Sequence, residues 1–80
     1  MEISAYVLIN TEAGQTSKVK NDLIKLNEVV SADEVYGDYD IIAKVVAKDI
    51  KMLDFIIETK IRSMDEVVKT TTMIIVPSIT

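Results

Sequence analysis

Val35-Tyr36-Gly37-Asp38-Tyr39-Asp40-Ile41-Ile42-Ala43-Lys44-Val45-Val46-Ala47 is a polar turn with a single glycine running into an alternating apolar segment. Ile41, Ala43, Val45 and Ala47 fall on one side of an extended chain, and Ile42, Lys44, Val46 and Lys48 on the other. That is the period of two expected of a strand with two different faces. Gly37-Asp38 fits a two-residue hairpin turn with glycine at the first central position, where a positive φ is needed. The stretch therefore predicts a β-hairpin near the middle of the chain. Its tip holds the one cluster of aromatic, acidic and glycine residues in the sequence.

Outward from the hairpin, each flank reads as strand, helix, strand. Ile3, Ala5, Val7 and Ile9 alternate with polar or larger residues, which predicts a first strand over residues 2–10. Thr16 or Ser17 is placed to cap a helix in which Val19, Leu23, Ile24 and Leu26 form an apolar stripe up to about Asn27. Val29 to Tyr36 predicts an edge strand, its Ser31, Asp33 and Glu34 suited to an exposed margin. Beyond the hairpin, Asp49 is an N-cap candidate for a second helix with Ile50, Leu53, Ile56, Ile57 and Ile61 inward. Val67 to Val76 is rich in β-branched residues, and Pro77 ends the strand by removing a backbone donor.

The two halves echo one another. Adding 38 to the residue number takes Ile3, Ala5 and Val7 to Ile41, Ala43 and Val45. The same shift takes Val19 and Leu23 to Ile57 and Ile61, and Glu28-Val29-Val30 to Glu66-Val67-Val68. Two βαβ halves in sequence predict an α+β, ferredoxin-like split βαβ fold (βαββαβ). It has a four-stranded antiparallel sheet with both helices on one face. Eighty residues hold one domain, 1–80, and 49% hydrophobic with 28% charged residues is a globular rather than a disordered balance.

With the echoing positions under the helices, the other face of the sheet receives Tyr6, Leu8, Ile42 and Val46, with Lys44 and Lys48 at its margins. Burying four such side chains is worth about 1.5–3 kcal/mol each before association costs. That is a large term for a small domain without disulfides or metal. A homodimer through this face is the expectation.

Composition excludes several chemistries. With no cysteine and no histidine, the chain has no disulfide, no thiolate or imidazole metal site and no histidine general base. Asp38 and Asp40 are two residues apart at a turn, where solvation keeps carboxylates ordinary, and they match no calcium-loop pattern. No catalytic residue, metal or cofactor is expected, and the reading is not an enzyme. A net charge of −4 without a basic run argues against direct nucleic-acid contact. No apolar run is long enough to span a membrane, and no signal-peptide pattern opens the chain, which points to the cytoplasm. Thr70-Thr71-Thr72 is explained by β-propensity alone, although its hydroxyls and amides would also suit a carboxylate. Tyr36 and Tyr39 are either cross-strand partners or walls of a pocket.

These residues together resemble a known family. Val35-Tyr36-Gly37-Asp38-Tyr39-Asp40-Ile41-Ile42-Ala43-Lys44-Val45, then Lys48-Asp49, Lys60-Ile61-Arg62-Ser63, Glu66-Val67-Val68 and Thr70-Thr71-Thr72, is similar to the effector-binding (RAM) domain of Lrp/AsnC transcriptional regulators. The likeness runs from Ala5 to Val76, and its most specific part is Gly37-x-Tyr39-Asp40 leading into a strand. It implies amino-acid binding at subunit interfaces and assembly into homodimers and rings of dimers. Asp40 would receive the ligand's α-ammonium, Gly37 would let it approach the backbone, and Tyr39 belongs to the same tip. Thr70 and Thr72 would face its carboxylate. Nothing precedes Met1, so the DNA-contacting helix-turn-helix of the family is expected to be absent. Transcription would then be modulated through full-length Lrp/AsnC partners. The competing reading is a structural assembly partner or a small ferredoxin-like dimeric enzyme.

Overall fold

The structure, a computed structural model, describes residues 2–77. The elements in chain order are β1 (Ile3–Thr11), α1 (Thr16–Ile24), β2 (Val29–Glu34) and β3 (Ile41–Ala47). They are followed by α2 (Ile50–Ile56), which runs into a π-helical turn (Ile57–Ile61), and by β4 (Val67–Ile74). The strands lie in the order β2-β3-β1-β4, every neighbouring pair antiparallel. This is the ferredoxin-like βαββαβ arrangement.

The alternation in β1 and β3 decides which side is filled. Ala5, Val7, Ile9, Ile41, Ala43 and Val45 are fully buried. They share one core with Val19 and Leu23 of α1 and with Leu53, Ile56, Ile57 and Ile61 of the second helix. The 38-residue echo is therefore structural. Ala5 and Ala43, Val7 and Val45, Val19 and Ile57, and Leu23 and Ile61 are pairwise equivalent and all buried. It extends to the backbone as well. Val46 N–H donates to Glu28 O at 2.9 Å, and Glu12 N–H donates to Glu66 O at 2.9 Å. Each echoing glutamate thus ties the loop before its strand to the opposite half of the molecule.

Several boundaries differ from the sequence expectation for identifiable reasons. The β2–β3 connection is not a two-residue turn. It spans residues 35–40, closed by Val35 N–H donating to Asp40 O at 2.9 Å. β2 accordingly ends at Glu34, not Tyr36. Gly37 has φ +138°, a region that only glycine occupies readily, so its conformational role survives in a longer loop. Neither Thr16 nor Ser17 caps α1; Gln15 holds that position without a side-chain bond. The Thr16 hydroxyl instead meets that of Thr11 at 2.8 Å, and Ser17 Oγ donates to Glu34 Oε2 at 3.1 Å. Ile24 and Ile50 point to solvent, because each lies at the end of a helix beyond the reach of the sheet. Asp49 does cap α2, its Oδ1 accepting from Met52 N–H at 2.8 Å.

Side-chain ion pairs also join the halves: Lys18 Nζ lies 3.4 Å from Glu66 Oε1, and Lys60 reaches Glu28. Lys60 Nζ donates to Glu28 Oε2 at 2.9 Å across 32 residues, while Glu28 Oε1 is buried without a partner among the described residues. The lysine, followed by Glu28's own backbone N–H, holds the Glu28 carboxyl below the usual carboxylate range. A group whose pKa is lowered by folding stabilises the fold above its unfolded value and loses that contribution as pH falls through the folded one. Glu28→Gln is therefore expected to be less stable than the native chain at about pH 7, with the gap closing by about pH 3. Urea midpoints of the two proteins at both pH values check it. A gap that stays constant would mean the Lys60–Glu28 pair contributes through packing and not through charge.

Candidate functional site

The loop 35–40 is not free. Asp40 N–H donates to Ile9 O at 2.9 Å, and Asp40 Oδ2 accepts from Thr11 N–H at 2.8 Å. The Thr11 hydroxyl reaches the same oxygen at 3.4 Å, and Asn10 Nδ2 donates to Asp38 O at 2.9 Å. The loop is thus stitched to the last residues of β1, where the register with β4 shifts between Asn10 and Thr11 and leaves Val68 of β4 as the extra residue. Asp40 Oδ1 has no donor among the described residues.

Asp40 also lines a cleft of about 320 Å³, between the start of α1 and the β2–β3 connection, together with Thr16, Glu34, Val35 and Tyr36. Two carboxylates, a hydroxyl and an aromatic ring face it, and no lysine or arginine lines it. Such a wall suits a positively charged, hydrogen-bond-donating group and disfavours a bare carboxylate. Gly37 is exposed and is not in that lining, with nothing within 4 Å of the place a Cβ would occupy. Its lack of a side chain therefore does not make room for a neighbour in the same protomer.

The structure brings only some of the sequence candidates together. Asp40 lines the cleft, whereas Gly37 is exposed, Tyr39 is half-buried, and both are outside the lining. Tyr36 and Tyr39 are not strand partners, since both lie in the loop; Tyr36 lines the cleft. Thr70 pairs with Ile9 from the far side of β1, and Thr72 pairs with Val7. Thr70 is therefore two strand spacings, about 10 Å, from the backbone of Asp40. Thr72 is further along the same edge. One protomer does not bring the threonines to the cleft.

Thr16 and Glu34 were legible only as a cap and an edge residue. Nothing local in the sequence says that the start of α1 faces the end of β2. The residues expected on the open face of the sheet do lie there together. Leu8 is opposite Ile42, and Val46 is opposite Ser4. Lys44 is not at the margin but in the middle of the face, directly opposite Tyr6.

Residues 4–79 match the model of the Lrp/AsnC ligand binding domain. The HTH-type transcriptional regulator FL11 of Pyrococcus furiosus is 36% identical over 73 residues, covering 91% of this chain and 48% of that protein. The chain thus spans about half the length of the curated relatives it matches. A crystal structure of FFRP-DM1 is 42% identical, with a TM-score of 0.90 over 92% of this chain and 99% of that one. A feast or famine regulatory protein from M. tuberculosis, complexed with L-methionine, shares the fold at 24% identity. Its TM-score is 0.83, over 98% of this chain and 52% of its own. The family model covers nearly the whole chain, and the architecture agrees with it: this chain belongs to the Lrp/AsnC ligand-binding domain family.

Proposed function

We propose that this chain binds an amino acid, or a closely related ammonium-bearing small molecule, in the cleft between α1 and the β2–β3 loop. It does so as a non-catalytic, oligomeric module that modulates transcription through Lrp/AsnC regulators. The observation that carries the reading is Asp40. One of its oxygens is fixed by Thr11, so the carboxylate is held in place, the other accepts no hydrogen bond among the described residues, and the residue lines a cleft with no cation of its own. An α-ammonium group entering there meets a preorganised acceptor, with Glu34 and the Thr16 hydroxyl close by.

The ligand's carboxylate finds no partner in the same cleft. Thr70 and Thr72 offer hydroxyls at an exposed strand edge, and a second protomer is the natural way to bring such an edge to a cleft. The apolar open face of the sheet supports a homodimer, and higher rings of dimers follow the same logic of incomplete sites.

The test is a thermal melt against each standard amino acid. A ligand at a hundredfold its dissociation constant adds about 2.7 kcal/mol. In a domain of this size that raises the midpoint by roughly 10 °C or more. The shift should be confined to a few amino acids and lost in Asp40→Asn, which keeps an acceptor for Thr11 while removing the charge. A flat panel with the native chain would leave assembly without sensing as the better reading. An equal shift in Asp40→Asn would move the ligand to another place.

A further inference from the structure

An α-ammonium group on Asp40 leaves the second carboxylate of the cleft, Glu34, without a counter-charge. The two acids are held alike. Ser17 Oγ donates to Glu34 Oε2 at 3.1 Å, as Thr11 N–H does to Asp40 Oδ2 at 2.8 Å. Neither Glu34 Oε1 nor Asp40 Oδ1 accepts a hydrogen bond among the described residues. Glu34 pairs with Ile41 in the sheet, so its backbone lies one strand spacing across and one residue along from Asp40, roughly 6 Å away. Tyr36 lines the same cleft and is fully exposed. The lining has no lysine or arginine, and Lys18, one turn into α1, is paired with Asp22 and Glu66. The start of α1 contributes about half a positive charge, which leaves a cleft with two carboxylates net negative.

We infer that Glu34 sets the specificity of this cleft for ligands with two cationic groups, and that the class fitting one protomer best is a short α,ω-diamine without a carboxylate. The inference rests on the reading of the cleft as an ammonium site and narrows it. One ammonium meets the open oxygen of Asp40 and the other that of Glu34, with the methylene chain along the Tyr36 ring. A single ammonium compensates only one of two neighbouring anions, and the uncompensated one repels any further negative charge. An amino acid with an uncharged side chain therefore fills half of the arrangement and adds an anion for which the lining has no cation. A diamine fills both halves and adds none. Because both acids are already anchored, the site is ordered before the ligand arrives.

Isothermal titration at low ionic strength with 1,5-diaminopentane, 1-aminopentane and lysine tests it, since the three share one carbon chain and differ in a second ammonium or a carboxylate. The diamine is expected to bind roughly tenfold more tightly than the monoamine, the worth of one hydrogen bond to a charged group. It should bind at least as tightly as lysine. Glu34→Gln keeps an acceptor for Ser17 and should bring the diamine down to the affinity of the monoamine, leaving the monoamine itself nearly unchanged. Asp54→Asn removes the same charge from an exposed position on α2 outside the lining, and should leave the diamine preference intact. The inference is overturned if Glu34→Gln keeps that preference, if Asp54→Asn loses it equally, or if lysine binds more tightly than the diamine. A monoamine that binds as well as the diamine, and loses binding in Asp40→Asn, overturns the specificity while the ammonium site stands. Binding by none of the three also overturns it, and the melt against the standard amino acids then decides the ammonium site on its own.

Discussion

Ile61→Ala is expected to lower the melting midpoint by roughly 10–30 °C. Ile61 is fully buried at the end of the π-helical turn, against the sheet residues at the centre of the core. Truncating such a side chain removes its transfer energy and leaves a cavity, which together cost about 2–5 kcal/mol. A domain of this length has only about 4–12 kcal/mol in all, and each kcal/mol moves the midpoint about 4–8 °C. The π-helical turn sharpens the expectation. Its wider backbone ring carries Ile57 and Ile61, both buried, on from Leu53 and Ile56 of α2. Ile50→Ala in the same helix is the control, since Ile50 is exposed and its loss should stay within about 0.5 kcal/mol. Melts at one fixed protein concentration, so that assembly does not confound them, make the comparison. Equal shifts in the two variants would contradict the burial pattern.

That contrast also marks how far the sequence could be read. Periodicity assigned Ile50 and Ile61 to one helical face, because a spacing rule does not know where a helix overhangs its sheet. In β1 and β3 the rule was sufficient, since a strand between two neighbours has no free end to escape to. Of the predicted inward set, Ala5, Val7, Ile9, Ile41, Ala43, Val45 and Ala47 are buried, and only Ile3, at the start of β1, is partly exposed. The loop was harder. Gly37 marked a positive φ correctly, but the loop's length is set by Asp40 bonding to Ile9 and Thr11, which are about thirty residues earlier. For the same reason the cleft was only half legible. Asp40 stands out in the sequence, whereas Thr16 and Glu34 join it only because the start of α1 lies beside the end of β2.

Leu8→Lys is expected to weaken the proposed homodimer by roughly two to four powers of ten. Leu8 lies at the centre of the open face, opposite Ile42 on one side and Thr71 on the other, with Tyr6, Val46 and Met73 on the same face. In a two-fold dimer each substitution occurs twice, so losing the burial of Leu8 removes about 3–6 kcal/mol, at tenfold per 1.4 kcal/mol. Charge adds to the loss. Lys44 already stands in the middle of this face across from Tyr6, with Asp33 of β2 the nearest acidic residue on the same face by register. A second lysine beside it leaves two cations to be buried with one carboxylate between them. Sedimentation over a concentration series should show the native dimer replaced by monomer at micromolar protein. A dimer as tight as the native one would place the interface elsewhere. The ligand cleft opens at the start of α1, away from this face, so the same variant should still show the amino-acid-dependent thermal shift if a protomer binds its ligand alone. Loss of both dimer and shift together would instead mean that the site is completed by the partner, as the separation of Thr70 from Asp40 requires if those threonines hold the carboxylate.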